Sequence, residues 1–356
     1  MNNNTPVDET GSAPVPESRG PVSAALLDLL CGTSRDVGDS IDEISLETAD
    51  PYGEDVQLAL QLCYELHYRG LERVNPRWEW DPRVVGLRGR LEAQFEAALR
   101  RDVPGGTDLD AELDELLTEP AEPAGVGGFL QEHGQWWQLR EYFVHRSIYH
   151  HKEADPYAWA IPRLTGQAKA SLVAVEFDEF GAGRGDKIHA VLYADLLSAA
   201  GLRRDYSYYL DAVPAPMLAV VNMMSLLGLH RRLRGALAGH FAAVEITSSP
   251  GSRRLVDILR RMGAAQACVR FYAEHVAADA VHEQVMRRGV LEPLLLEQPA
   301  LLESVVFGIQ ATGVLEERFD RHLLGCWRAG HGSLRPSLTT PADSPAAQPA
   351  QGIDMG

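Results

Sequence analysis

The stretch Arg270–Arg288, RFYAEHVAADAVHEQVMRR, limits what the chain can fold into more than any other. A helix turns by about 100° per residue, so His275, Asp279 and His282 fall within an arc of roughly 60°, with Phe271 and Met286 in the same sector. Arg270, Gln284, Arg287 and Arg288 mark the opposite face. The face that a bundle would bury therefore carries two imidazoles and a carboxylate. Burying them without partners would cost several kcal/mol. A metal ion satisfies ring nitrogens and a carboxylate together, and the four-then-three spacing stacks the three side chains within reach of one or two ions. A core stripe satisfied by hydrogen bonds would show the same pattern, so the rest of the chain has to decide.

The 356 residues suit one large or two small domains, and a hydrophobic content of 45% is ample for a core. A net charge of -17 argues against nucleic acid or an anionic membrane as the main partner. Cys31, Cys63, Cys268 and Cys326 are widely spaced and form no CxxC pair, which suggests neither a zinc ribbon nor a disulfide framework. The start, MNNNTPVDETGSAP, lacks the basic and apolar regions of a signal peptide. No apolar run approaches the roughly 18 residues of a membrane span. The expected location is the cytoplasm.

Periodicity predicts an all-α chain. Residues 1–21 and 334–356, rich in Pro, Ser and Gly or Ala, are expected to be disordered tails. Between them, 22–333 reads as a single helical domain in three parts: N-terminal helices over 22–102, an acidic flexible connection over 103–128, and a bundle over 129–333. The first part holds Val22–Cys31, Asp55–Gly70 with Asp55 as its cap, an aromatic turn NPRWEWDPR, and Val84–Arg101 with Leu87, Leu91, Phe95 and Leu99 on one stripe. In the bundle, helices are expected over Phe129–Glu153, Ala168–Glu179, Lys187–Ala200, the apolar run Met217–Thr247, Arg253–Met262, the opening stretch and Pro299–Trp327. Ser249-Pro250 is expected to end the apolar run.

Other acids and histidines fall at core-facing or helix-terminal positions. Glu179 ends one helix and His189 begins the next, and the glycines of GAGRG between them allow both side chains to point at one spot. Glu176 and Asp178 stand beside Glu179 as alternatives. Glu153 lies near a helix end next to Lys152, and Glu245 lies one turn after Phe241. Oxygen-rich ligation with a few imidazoles suits a pair of iron or manganese ions inside a bundle. Singly, each residue has an ordinary structural reading; their joint layout points to metal.

That layout, Glu153, Glu179-x9-His189, Glu245, His275-x3-Asp279-x2-His282, together with the run HRSIYHHKEADPYAWAIPRLTGQAKASLVAVEFDEFGAGRGDKIHA, resembles the heme-oxygenase-like diiron oxidases and oxygenases over about 129–330. The resemblance implies a heme-oxygenase-like helical bundle with extra N-terminal helices. It implies that Glu153, Glu179, His189, His275, Asp279 and His282 bind two irons, and that Glu245 can join as an additional carboxylate. It further implies an O2-dependent oxidoreductase acting on a small molecule, an electron donor such as a ferredoxin, manganese as an alternative metal, and a homodimer as an allowed assembly. The basic run His230–Arg234 is a candidate for steering an acidic donor or anionic substrate. Met217, Val220, Val221, Met224 and Leu227 are candidates for a cavity wall, with plain core the stronger reading. Two other readings are weaker. One is a non-catalytic metal- or partner-binding bundle; the other is a heme-binding protein with His67 or His145 as axial ligand. Glu141 and His145 read as a helix-surface pair.

Overall fold

The computed structural model of the chain describes residues 11–32, 46, 48–118 and 125–336. Among these it is all-α, with one isolated β-bridge between Ala13 and Leu71. The principal helices are α1 (Pro21–Cys31), α2 (Glu54–Glu65), α3 (Pro82–Asp102), α4 (Leu109–Leu117), α5 (Gly125–His133), α6 (Trp136–His150), α7 (Gly166–Glu179), α8 (His189–Ala199), α9 (Ala215–Leu229), α10 (Arg234–Arg261), α11 (Gln266–Gln284) and α12 (Leu302–Arg328). No described helix is long and apolar enough to cross a membrane.

The N-terminal helices pack where their stripes demand. Val56, Ala59, Leu60 and Cys63 of α2 and Leu87, Leu91, Phe95 and Leu99 of α3 are all buried. Asn222 Nδ2 of α9 donates to the carbonyl and the side-chain oxygen of Gln57, each at 2.8 Å, and so ties α2 to the bundle. Asp55 does not cap its own helix. Its carboxylate accepts from Val22 N–H (2.9 Å), Ser23 N–H (2.7 Å) and Ser23 Oγ (2.5 Å) at the start of α1. Those free amides and the positive end of the α1 dipole hold an anion better than the α2 start does.

Several sequence boundaries shift. The chain is built from residue 11 onward, not from 22: Ala13 is buried, and its N–H donates to Gly70 O at 3.0 Å. Residues 1–10 and 337–356 lie outside the described residues, and so do 119–124 of the acidic stretch. Within that stretch, α4 is docked, with Leu113 buried and Glu112 accepting from Gln310 Nε2 of α12 at 2.6 Å. The helix expected over Phe129–Glu153 breaks before Gln135, whose N–H is taken by Gln138 Oε1 at 2.8 Å. A Cβ at Gly134 would meet Leu130 O at 2.4 Å, so glycine suits this close turn. Conversely, α10 runs straight through Pro250 to Arg261. Proline loses one backbone bond there, but buried Phe241, Ile246, Leu255 and Leu259 on both sides hold the helix to its neighbours.

Candidate metal centre

Three local features bring the ligand-type side chains together. First, α6 ends at His150, and a tight turn carries Lys152, Glu153 and Ala154, the last at φ 78°. Second, Gly181 (φ 74°) and Gly183 (φ 79°) fold the chain back between α7 and α8. A Cβ at Gly181 would sit 2.7 Å from Ile188 N, so this hairpin, which returns His189 to Glu179, needs glycine. Third, α11 passes into a π-helical segment, Val285–Leu291, just after His282. Such widened turns recur at functional sites, and here Gly289 packs closely on Ser171 of α7.

The result is two adjoining groups, each with its ligand atoms within 4.8 Å of one another. One is Glu153, Glu179, His189 and His275; the other is Glu179, Glu245, Asp279 and His282. All seven residues singled out in the sequence are present, and Glu179 belongs to both groups. His275 Nδ1 donates to Phe271 O at 2.9 Å, which fixes the tautomer and leaves Nε2 facing Glu153 Oε1 at 3.7 Å. His189 Nδ1 lies 2.7 Å from Glu179 Oε2 but out of line for a hydrogen bond. His282 Nδ1 faces Glu245 Oε2 (3.1 Å), Glu179 Oε1 (3.6 Å) and Asp279 Oδ1 (3.6 Å). Its Nε2 faces Asp178 Oδ2 at 3.2 Å.

The electrostatics are those of anions crowded around imidazoles. Burial opposes charge on His275, but Glu153, Asp279 and Glu179 outweigh it and hold the ring up to about 10. The same contest, with Asp279, Glu245 and Asp178 as partners, lifts His282 to about 11. Glu153 stays well below the carboxylate range despite burial, because His150 and His275 flank it. Burial, with Glu179 and Asp279 nearby, pushes Glu245 up to about 8 in spite of its bond to His282.

Four ligand-type atoms are buried without a hydrogen-bond partner: His189 Nδ1, His275 Nε2 and both oxygens of Asp279. Each orphan of this kind costs about 1–3 kcal/mol. One cation in the first group would satisfy the two ring nitrogens, and one in the second the Asp279 oxygens. The nitrogen-and-oxygen donor set, without cysteine, fits iron or manganese.

Two neighbours had only faint sequence signals. His150, three residues before Glu153, donates from Nδ1 to Glu153 Oε2 (2.9 Å) between the rings of Tyr193 and Phe271. Asp178, considered only as a rival to Glu179, instead orients His282 from outside, as carboxylates behind metal-binding histidines do. Glu176, the other rival, is buried with both oxygens partnerless, and burial plus Glu179, Asp155 and Glu245 push it up to about 9.

A cavity of about 850 Å³ reaches Glu153 and His275 from between α6, α10, α11 and α12. Tyr142, Tyr149, Phe271 and Tyr272 line it, and farther out lies the Arg146–Glu316 ion pair. The residues Met217, Val220, Val221, Met224 and Leu227 are core and do not line this cavity. The basic run is matched in part: His230 Nε2 contacts Glu92 at 2.9 Å and Arg232 donates to Glu96 at 2.9 Å, whereas Arg231 is exposed and Arg234 donates to the neutral Arg231 O and Gln298 Oε1. His67 packs against Trp80 and Glu79, and His145 against Ser333 and Phe319; neither lines the cavity. Glu141 and His145 are buried rather than superficial, and Glu141 accepts from Trp327 Nε1 (2.9 Å) and Ser333 N–H (2.8 Å).

An all-α bundle holding a buried carboxylate–histidine cluster defines the class: a helical protein built around a metal-type site. The family model for iron-containing redox enzymes matches residues 140–316, from within α6 to within α12. Over that span, which includes all seven cluster residues, the chain belongs to this family of heme-oxygenase-like fold and is an iron-containing oxidoreductase. No curated protein matches the chain.

Proposed function

We propose that the protein is a non-heme diiron oxidase or oxygenase that uses O2 to oxidise a small-molecule substrate. The observation that carries this reading is the pair of four-residue groups sharing Glu179, with four orphaned ligand atoms between them. Glu153, His189 and His275 would hold one iron and Glu245, Asp279 and His282 the other, with Glu179 between; manganese is the alternative metal. Iron so held supplies O2 activation and electron transfer.

The chain's own groups do the rest. The Phe271 carbonyl keeps the proton of His275 on Nδ1, so Nε2 is presented as a lone pair. Asp178 does the corresponding work at His282 Nε2, turning Nδ1 inward. In the metal-free site Glu245 Oε2 accepts from His282 Nδ1–H, and a cation arriving between them would displace that proton. Tyr142, Tyr149, Phe271 and Tyr272 give the cavity an aromatic wall that would place a substrate beside Glu153 and His275. Electrons would come from a ferredoxin-like donor, for which the exposed Arg231 of the run His230–Arg234 offers positive charge. Four unpaired cysteines support a reducing compartment, the cytoplasm. The test is an anaerobic Fe(II) titration followed by O2. About two ions per chain and consumption of O2 are expected; saturation without O2 uptake would point to a non-catalytic metal-binding bundle.

A further inference from the structure

We infer that Glu65 and Lys152 are positioning residues for Glu153: α2, outside the family-matched span, clamps the turn that presents this carboxylate to the metal centre. The inference rests on the reading of Glu153 as a metal ligand.

The turn is held from one side by an unusual device. Lys152 is buried with 1% of its side chain exposed, and its Nζ lies 2.5 Å from Glu65 Oε2, buried to the same degree, as an ion pair out of line for a hydrogen bond. The ammonium also sits over the Tyr68 ring, 4.7 Å from its centre. Glu65 is itself fixed, since Tyr206 Oη donates to its Oε1 at 2.8 Å. The next residue after Tyr206 completes the grip: Ser207 N–H donates to His151 Nδ1 at 3.2 Å. Thus His151 and Lys152, the two residues before Glu153, are each tied to an element other than their own helix.

Immediately after Glu153 the backbone is strained. Ala154 takes φ 78° with its side chain fully buried, a conformation that costs an L-residue free energy and persists only where its surroundings impose it. Two charges are buried here at considerable cost, when an apolar contact would join α2 to α6 as well. What the ion pair adds is direction. It pins Lys152 into the α2 side of the turn, and the left-handed step at Ala154 then leaves Glu153 facing the opposite way, toward His150 and His275. Supporting groups of this kind typically alter metal affinity 10–100-fold when removed.

The test uses the full chain and Fe(II) alone under anaerobic conditions, with bound iron measured by equilibrium dialysis. Glu65→Gln should weaken one of the two ions at least tenfold and leave the other unchanged. Adding Asp279→Asn should then remove the remaining ion, which locates the first loss at the Glu153 group. Glu65→Gln/Ala154→Gly should recover much of the lost affinity, because glycine holds the left-handed step without the clamp. A role confined to stability would lower the melting temperature but move neither binding step. Where Glu65→Gln fails to fold, Glu65→Leu/Lys152→Met removes both charges together and should give the same selective loss. Two unchanged binding steps in the folded variant would overturn the clamp. A wild-type chain that binds no iron would overturn the metal reading instead.

Discussion

The two ends of the carboxylate–histidine cluster are built differently. At one end Glu153 and His275 border the cavity, and their environment favours an ionised pair: Glu153 is held low and His275 high. At the other, Glu245, Asp279 and His282 do not line that cavity, and the outermost contact is Asp178, whose side chain is 52% exposed. There, burial, with Glu179 and Asp279 nearby, lifts Glu245 to about 8, while the surrounding carboxylates lift His282 to about 11 against its own burial. The difference separates access from anchorage. The Glu153 end opens to the cavity, and the Glu245 end, closed off from that cavity, sets three carboxylates around one imidazole, a charge that a cation would neutralise.

The variant with the largest expected effect acts on both ends at once. Glu179→Gln removes the one carboxylate common to both groups, so bound Fe(II) should drop from about two per chain to below one. Retention of both ions would break the shared-ligand geometry. Asp279→Asn should act on the closed end only and leave about one ion, because an amide nitrogen replaces a coordinating oxygen and the charge is lost. If Asp279 were a plain core residue, the same change would alter stability by about 1–3 kcal/mol and leave iron binding intact.

The cavity end supplies a pH prediction for the metal-free protein. Glu153 is depressed, so its contribution is present above about 4.5 and is lost as pH falls toward its folded value. His275 is raised from 6.5 to about 10, so its contribution is complete below about 6.5 and fades as pH rises through 10. The metal-free melting temperature should therefore decline from pH 6.5 to 9. Iron binding competes with protons on the same imidazoles and should tighten over that window. Scanning calorimetry with and without Fe(II), under argon, should show two curves that diverge as pH rises; parallel curves would count against the pairing.

How far these ends were legible in the sequence follows from range. His275, Asp279 and His282 could be read because one helix sets their spacing, and Glu179 with His189 because glycines lie between them. Glu153 and Glu245, each weak alone, were readable only through their joint layout with the other acids and histidines. What resisted reading depends on partners far along the chain. Asp55 looked like a cap for its own helix and caps α1 instead. Pro250 looked like a stop, yet packing on both sides carries α10 through it. The basic run gave no sign that Glu92 and Glu96 of α3 would take up His230 and Arg232. The cavity was invisible because it lies where helices fail to fill space, which no single helix records.

Glu176 sharpens the picture of excess charge at a smaller scale. It is an acid raised from 4.5 to about 9, so folding favours its neutral form. Below about 4.5 it is neutral in both states and costs nothing extra. Above that the unfolded chain ionises while the folded one does not, and stability is lost up to about pH 9, with a limiting slope of about 1.4 kcal/mol per pH unit. Glu176→Gln removes this loss. Metal-free Glu176→Gln should gain on wild type by about 1–3 kcal/mol between pH 6 and 8 in urea titrations. A gap that does not grow with pH would mean that Glu176 ionises in the folded protein.

The smallest effect concerns why the cavity end is open. Helices α10 and α12 touch backbone to backbone: a Cβ at Gly239 would lie 2.1 Å from Val305 O, and one at Gly308 would lie 2.0 Å from Ala236 O. Farther along the same two helices, Gly251 and Gly313 line the cavity, and a Cβ at either would meet nothing within 4 Å. The first pair seals the helices together, and the second pair lies where they bound empty space. Alanine in a helix interior is favoured over glycine by about 0.5–1 kcal/mol, chiefly because the unfolded chain has less freedom to lose. Gly313→Ala should therefore raise stability by about that amount and leave both iron-binding steps unchanged. A loss of stability would show that the wall at Gly313 is packed, and that the cavity does not extend along α12 to the Glu153 end of the cluster.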